Sequence, residues 1–463
     1  MKKIYTSIII YLIYTFTLLV NVQCEQFVEV PDPTDQISQA FVFKDKSTAL
    51  AALADLYANL RSNSLLDGTP SGANFLTGCY TDDLATVNNQ TADYRSFYDL
   101  TVLSSNPAID QIWTSSYRNI YAANNILEGV AKSGNTLDEP TRNLLVGESL
   151  AIRALLHLYL TGLFGEIPYV KTTDYQLNNS ISKSSVSDIY DNIEKDLLQS
   201  ESLLSEPYPT PERTRINKTA VQLLLARVYL YAGKNVEARK YAELVAGNGS
   251  YSLETSLDNV FLKDAASTIW QFAPVENGAN TLEGQTYIVI GTPPPNAFLS
   301  PDLINSFETG DLRLNHWINS VSDGTTNYFF PFKYKQYYIT PNSLEYSIVL
   351  RVEEAYLIAA EAENNLGNSA ASLEKLRALR TRAGLNTPTS ASLSQVTSLI
   401  LSERRHEFFT EGGHRFFDLK RSGLIDQTLK NVKPTWQNYM KLWPLPEREL
   451  LVNKNLNPQN DGY

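Results

Sequence analysis

The segment ERRHEFFTEGGHRFFDLKRSG, residues 403–423, gathers two of the chain's four histidines with three glutamates, one aspartate, four arginines and one lysine. Two kinds of hydrolase would use such residues. A zinc protease needs H-E-x-x-H, which projects two imidazoles from one helix face with a glutamate as base. His406 and Glu407 begin that pattern, but position 410 is Thr, and His414 lies beyond two glycines. A glycosidase needs two carboxylates, and Glu403, Glu407 and Glu411 are spaced four apart, so successive pairs would share a helix face. Arg404 and Arg405 interleave with them, however, and neighbouring guanidiniums lower a carboxyl pKa, which is wrong for a general acid. The segment therefore reads as an ion-pair clamp. Glu407 is expected to pair with Arg404, and Arg415 with Asp418, with Phe408, Phe409, Phe416 and Phe417 facing inward. No C-x-x-C, phosphate-cradling G-x-x-x-x-G-K or nucleophile-elbow G-x-S-x-G occurs elsewhere. No catalytic residue, metal ligand or cofactor is expected.

The elements that position these groups belong to a long chain. Its 463 residues exceed the roughly 250–300 at which a single core stops growing, so two domains or one elongated repeat-type body is expected. A formal charge of −11 supplies no basic excess to neutralise nucleic-acid phosphates or an anionic membrane. Aromatics are prominent, with 27 Tyr, 18 Phe and 5 Trp, and amphipathic tyrosine suits surfaces and clefts. At the N-terminus, Lys2 and Lys3 precede an apolar run from Ile4 to Val20 that ends at Cys24. This describes an export signal, with Cys24 where a bacterial lipoprotein is cut and acylated. Gln23 and Asn21 stand where small and aliphatic residues are usual, and an uncleaved membrane helix is the other reading. The second cysteine, Cys79, then has no disulfide partner and reads as a small buried hydrophobe, although a bridge to Cys24 becomes available without lipidation.

Helical periodicity and caps predict helices at 47–62, 109–134, 141–169 (stopped by Gly165 and Pro168) and 185–206 (stopped by Pro207). Trp113 falls on a helical pattern and reads as core. Residues 63–110 outside the helical pattern read as long ordered loops. The segments 223–245 and 356–379 both run helix, glycine turn, helix, and align Leu223 with Leu357, Ala226 with Ala360 and Gly233 with Gly367. That is a tetratricopeptide pattern, which stacks into a solenoid. Between them, 249–349 carries TPPP at 292–295 and YFFPFKYKQYY at 328–338 with little helical period, so loops on a helical scaffold are expected, and loops this long are usually functional. His316, alone beside Trp317, reads as a surface residue and not a metal ligand.

Taken in order, RALLHLYLTGLFGEIPY (153–169), the hairpin at 219–245, PDLINSFETGDLR (301–313), VEEAYLIAAEAENNLG (352–367), the 403–423 segment and the closing LWPLPERELLVNKNLNPQNDGY (from 442) resemble successive signatures of the SusD/RagB family. The resemblance spans nearly the whole mature chain. It implies a mainly α fold, a tetratricopeptide-like helical-hairpin scaffold with long loop-rich ligand-binding insertions. The divisions are a lipoprotein signal peptide at 1–23, an extended leader at 24–46, an N-terminal SusD-like region at 47–248 and a C-terminal SusD/RagB region at 249–463. It implies an outer-membrane, lipid-anchored protein on the extracellular face, which binds oligo- or polysaccharide and passes it to a SusC-like TonB-dependent transporter, and no enzyme. Sugar rings stack on aromatics while their hydroxyls need fixed polar partners. Two loops offer that mixture: Tyr80, Asp82, Asp83, Asn88, Tyr94, Arg95 and Tyr98 in the first, and Trp317, Tyr328, Tyr334, Tyr337 and Tyr338 in the second. A peptide or other nutrient ligand, a glycoside hydrolase and a structural tetratricopeptide adaptor are the alternatives.

Overall fold

The computed structural model describes residues 42–87 and 93–463. The expected signal peptide, Cys24, most of the expected leader and Asn88 lie outside the described residues. The first described long helix, α1 (Lys46–Ser62), starts where Asp45 accepts hydrogen bonds from the backbone N–H groups of Ser47 (2.8 Å) and Thr48 (3.3 Å). The cap is therefore Asp45, two residues before Ser47, where the helix read from the sequence begins. Residues 63–110 are less loop-like than expected, because α2 (Ala73–Tyr80) forms inside them and is almost wholly buried, with the free thiol of Cys79 in its interior.

The long helices fall where periodicity places them. They are α3 (Pro107–Lys132), α4 (Glu139–Phe164) and α5 (Val186–Leu203), with Trp113 buried on α3. Proline at N1 follows the capping Asn106 of α3, and Gly165 at φ +78° ends α4 in a conformation that an L side chain resists. α4 is apolar enough to cross a membrane, but 89% of its apolar window is buried inside the protein, which makes it a core helix.

The two hairpins are α6 (Lys218–Tyr231) with α7 (Asn235–Ala246), and α8 (Val352–Asn365) with α9 (Ser369–Arg382). Each turns through a glycine of positive φ, Gly233 at +74° and Gly367 at +90°. The next residue then donates its N–H back to the helix, Lys234 to Tyr229 O (2.8 Å) and Asn368 to Glu363 O (2.9 Å). The aligned Leu223, Leu357, Ala226 and Ala360 are all fully buried. Although about a hundred residues separate them, α7 packs directly on α8. The chain leaves through β2 (Thr268–Phe272) and returns through β6 (Ser347–Arg351), which pair antiparallel, so the insertion closes on itself. Arg227 of α6 then reaches Glu354 of α8 with two bonds of 2.6 Å. α10 (Leu393–Phe408) and α11 (His414–Arg421) complete the stack. The fold is mainly helical and tetratricopeptide-like.

Candidate functional site

The 403–423 segment is interior. Glu403 accepts from Arg313 (2.6 Å) and Arg380 (3.1 Å). Glu407 accepts from Arg351 (2.6 Å), Arg382 (2.5 Å) and Arg313 (3.2 Å), and Glu411 from Lys333 (2.5 Å) and Arg351 (2.9 Å). Burial opposes the charge on Glu407, but the three guanidiniums outweigh it and hold the carboxyl well below the usual range. Two pairings differ from expectation. Arg404 donates to Asp418 (2.7 Å) and not to Glu407, and Arg415 reaches Asp82 and not Asp418. The cause is the turn. Thr410, Gly412 and Gly413 all have positive φ, which folds α11 back so that Asp418, not Glu407, faces Arg404. The phenylalanines at 408, 409, 416 and 417 are all buried.

Neither histidine is set up for metal or acid–base work. His406 stacks on Phe307 (centroids 4.2 Å apart) and His414 on Phe408 (4.4 Å). Burial brings them down to about 2 and about 3, so both are neutral at ordinary pH. Among the described residues no group of His, Cys, Asp or Glu is arranged to hold a metal ion. Half-buried His316 lies 3.0 Å from Asp258.

The two aromatic loops, over two hundred residues apart in sequence, are bridged by a third segment. β1 (Leu84–Ala85) pairs antiparallel with β3 (Phe298–Leu299), with Leu84 opposite Leu299 and Ala85 opposite Phe298. Phe298 then sets its edge against Tyr328 at 5.2 Å, on the second strand of the hairpin formed by β4 (Ile318–Ser322) and β5 (Asn327–Pro331). Beneath the hairpin Ile288, Val289 and Phe330 form a small apolar cluster, with Phe332 and Tyr337 packed on it.

The predicted site residues divide by burial. Tyr80 is interior, its hydroxyl donating to Met440 O (2.8 Å) and its ring set among Phe97, Phe416, Trp436 and Trp443. Asp82 and Asp83 are buried against Arg405 at 3.0 Å each, and Arg415 adds two bonds to Asp82. Tyr94 is buried and donates to Pro295 O (3.3 Å). Trp317 is fully buried with its indole N–H on Leu257 O (2.9 Å), and the Tyr334 hydroxyl accepts from Ile348 N–H (2.9 Å). All six are buried, with polar atoms engaged by other parts of the protein.

Arg95, Tyr328, Tyr337, Tyr98 and Tyr338 retain solvent access. Arg95 is held by Asp99 (2.7 Å), Thr86 (2.9 Å) and Val87 O (2.8 Å). Tyr328 donates to Asp323 (3.1 Å), whose other oxygen accepts from the backbone of Thr325 and Thr326 at the hairpin tip. Tyr338 is 70% exposed with its ring edge-on to Tyr337, and Ile339 beside it is 78% exposed. Sequence reasoning missed the third wall, the segment that includes exposed Ile290 and Phe298. TPPP marked that segment as loop, but only strand pairing places it between the others. The rings of Phe298 and Tyr328 are thus in contact where β3 meets the hairpin, and Tyr337 and Tyr338 carry solvent-accessible rings on the segment that follows it.

A stacked-hairpin scaffold with a long, loop-rich insertion defines a class of tetratricopeptide-like helical proteins. Residues 13–230 match the family model described as "Starch-binding associating with outer membrane", and residues 234–463 match that of the SusD family. The chain belongs to the SusD/RagB family. SusD-like protein P2 of Formosa agariphila is 25% identical, over 96% of this chain and 98% of that protein. A SusD superfamily protein from Parabacteroides distasonis is 23% identical and superposes with a TM-score of 0.78, over 90% of this chain and 99% of that one. A laminarin-binding SusD-like protein, also 23% identical, superposes with a TM-score of 0.74 over the same shares.

Proposed function

We propose that this chain is a cell-surface binder of oligo- or polysaccharide that passes its ligand to a SusC-like TonB-dependent transporter in the outer membrane, to which Cys24 anchors it through lipid. The observation that carries the reading is the chain of contacts that links the two loops, from Leu84 and Ala85 through β3 to Tyr328, together with the solvent-accessible rings of Tyr328, Tyr337 and Tyr338. Family membership and the laminarin-binding relative support a glycan as the cargo. A preformed aromatic platform binds a sugar's C–H face at low entropic cost, because the tyrosines have few rotors to freeze. The carboxylates of the 403–423 segment serve the scaffold, so binding without turnover is the expected behaviour.

The test is calorimetric titration of the intact chain with laminarin, starch and other glycans, with reducing ends assayed in parallel. Saturable binding of at least one glycan with no release of reducing ends is the expected result. Hydrolysis that disappears on Glu407→Gln would make the protein a glycosidase, and saturable binding of peptides alone would make it a peptide binder. Co-purification with a transporter of the SusC type from native membranes tests the partner.

A further inference from the structure

A second cleft, of about 820 Å³, opens away from the loop face, where the C-terminus of α4 and the start of α5 meet α11 and the terminal segment of the chain. Its walls carry aromatic rings, among them Tyr190, Phe417 and Tyr439, and four cationic side chains. One of these, Arg421, is neutralised by Glu361 and by Asp418 (2.7 Å). The other three are not. Lys183 donates to Pro458 O (2.7 Å), Lys420 to Gly162 O (2.6 Å) and Lys441 to Asn438 Oδ1 (2.7 Å). None of the three pairs with a carboxylate among the described residues, although Glu166 and Asp461 also line the cleft. In a chain of net charge −11 that is an unusual concentration of unneutralised ammonium groups. Burial, and next the charge of Lys441 nearby, lower the Lys420 ammonium to about 7. The two ammonium groups repel each other and neither is paired with a carboxylate among the described residues, and a lysine offers three donors of which only one is used here.

We propose that this cleft is a second saccharide site, selective for sugars that carry an anionic substituent, a uronate carboxylate or a sulfate ester, which sits between Lys420 and Lys441 with the sugar ring against Tyr439. The anion relieves the lysine–lysine repulsion and accepts the unused ammonium donors, and a charged acceptor is the stronger partner for them. The inference rests on the proposed function only for its choice of a sugar as the body of the ligand. The cleft is separate from the loop face, so one protein would hold neutral and acidic segments of a mixed polymer at two places.

The test uses the intact chain and four probes: a galacturonic acid trisaccharide, its methyl ester, a sulfated neutral trisaccharide and a neutral glycan that binds the loop face. The charged trisaccharides are expected to bind about tenfold or more tighter than the methyl ester, with the preference removed by Lys441→Gln and by high salt. Preference for the galacturonate identifies a carboxylate site, and preference for the sulfated sugar a sulfate site. Lys441 is half-buried, so its replacement spares the fold where Lys420→Met would not. Equal affinity for the galacturonate and its ester, with no gain for the sulfated sugar, overturns the proposal. So does a charge preference that survives Lys441→Gln and Lys183→Gln together. Failure of the neutral glycan to bind, with the charge preference intact, would count against the loop-face reading alone.

Discussion

Arg415 donates its Nε and Nη2 hydrogens to the two oxygens of Asp82, at 2.8 and 2.6 Å, and so ties the first aromatic loop to the helix after the double glycine. Arg405 approaches the same carboxylate at 3.0 Å. Burial works to raise the Asp82 carboxyl, but the two guanidiniums prevail and bring it down to about 2. A carboxyl whose folded pKa is depressed contributes stability that is present above its unfolded value, about 3.9, and lost as pH falls through the folded one. Asp82 therefore adds to the acid sensitivity of the protein between about pH 4 and pH 2. Asp82→Ala removes that component and leaves both arginines without it. It is expected to cost about 3–5 kcal/mol by denaturant titration, the usual penalty for stranding a buried charge.

Glu407 is the hub of the larger network, with Arg313, Arg351 and Arg382 all on its carboxylate. Glu407→Ala leaves three buried guanidiniums short of a counter-charge, and a loss of about 3–5 kcal/mol or more is expected. The folded fraction should still bind glycan with unchanged affinity, because the Glu407 carboxylate and its three guanidiniums are buried and paired with one another. Titration of the purified folded variant checks this, and a stable variant that has lost binding would return the segment to the ligand site.

Much of the fold is legible in the sequence because it is local. Periodicity and caps place the long helices within a few residues, and a glycine between two apolar helices marks each hairpin. The partners of the charged residues are not local. Arg404 and Glu407 sit at a spacing that allows a pair on an isolated helix, yet the turn at Thr410 to Gly413 presents Asp418 to Arg404 instead. The site is only half legible for the same reason. Composition identifies both aromatic loops, and strand pairing between Ala85 and Phe298 brings them together. Which tyrosines face outward depends on contacts from remote segments, such as the Met440 carbonyl that receives the Tyr80 hydroxyl. Nothing in the loop's own residues distinguishes Tyr80 from Tyr98.

His157 gives a separate pH test. Its Nδ1 lies 2.8 Å from Arg153 O, and its Nε2 accepts the Val170 N–H at 3.2 Å, while the ring stacks on Tyr169 at 3.9 Å. A carbonyl at Nδ1 and an N–H at Nε2 select the neutral tautomer protonated at Nδ1. Burial brings this histidine down to about 3. The unfolded chain takes up the proton near pH 6.5 while the folded chain does not, so its contribution falls as pH drops from about 6.5 towards 3. Nitrogen-15 NMR should show this ring neutral and Nδ1-protonated at pH 5. His157→Gln should flatten the decline of stability over that range.

Tyr338 is the sharpest probe of the loop face, because it is 70% exposed and contacts Tyr337 by its ring edge alone. Its removal opens no core cavity, so Tyr338→Ala should leave the unfolding midpoint within the small range typical of surface changes. Glycan affinity should fall roughly two- to tenfold, the worth of one aromatic stacking contact. Tyr338→Phe should retain most of it, since the ring face and not the hydroxyl makes the contact. The combined Tyr337→Ala and Tyr338→Ala variant should lose less than the sum of the two changes, because each ring fixes the orientation of the other and either single change already weakens both contacts. Full affinity in the double variant would remove this rim from the binding face and shift attention to Tyr328 and the hairpin tip.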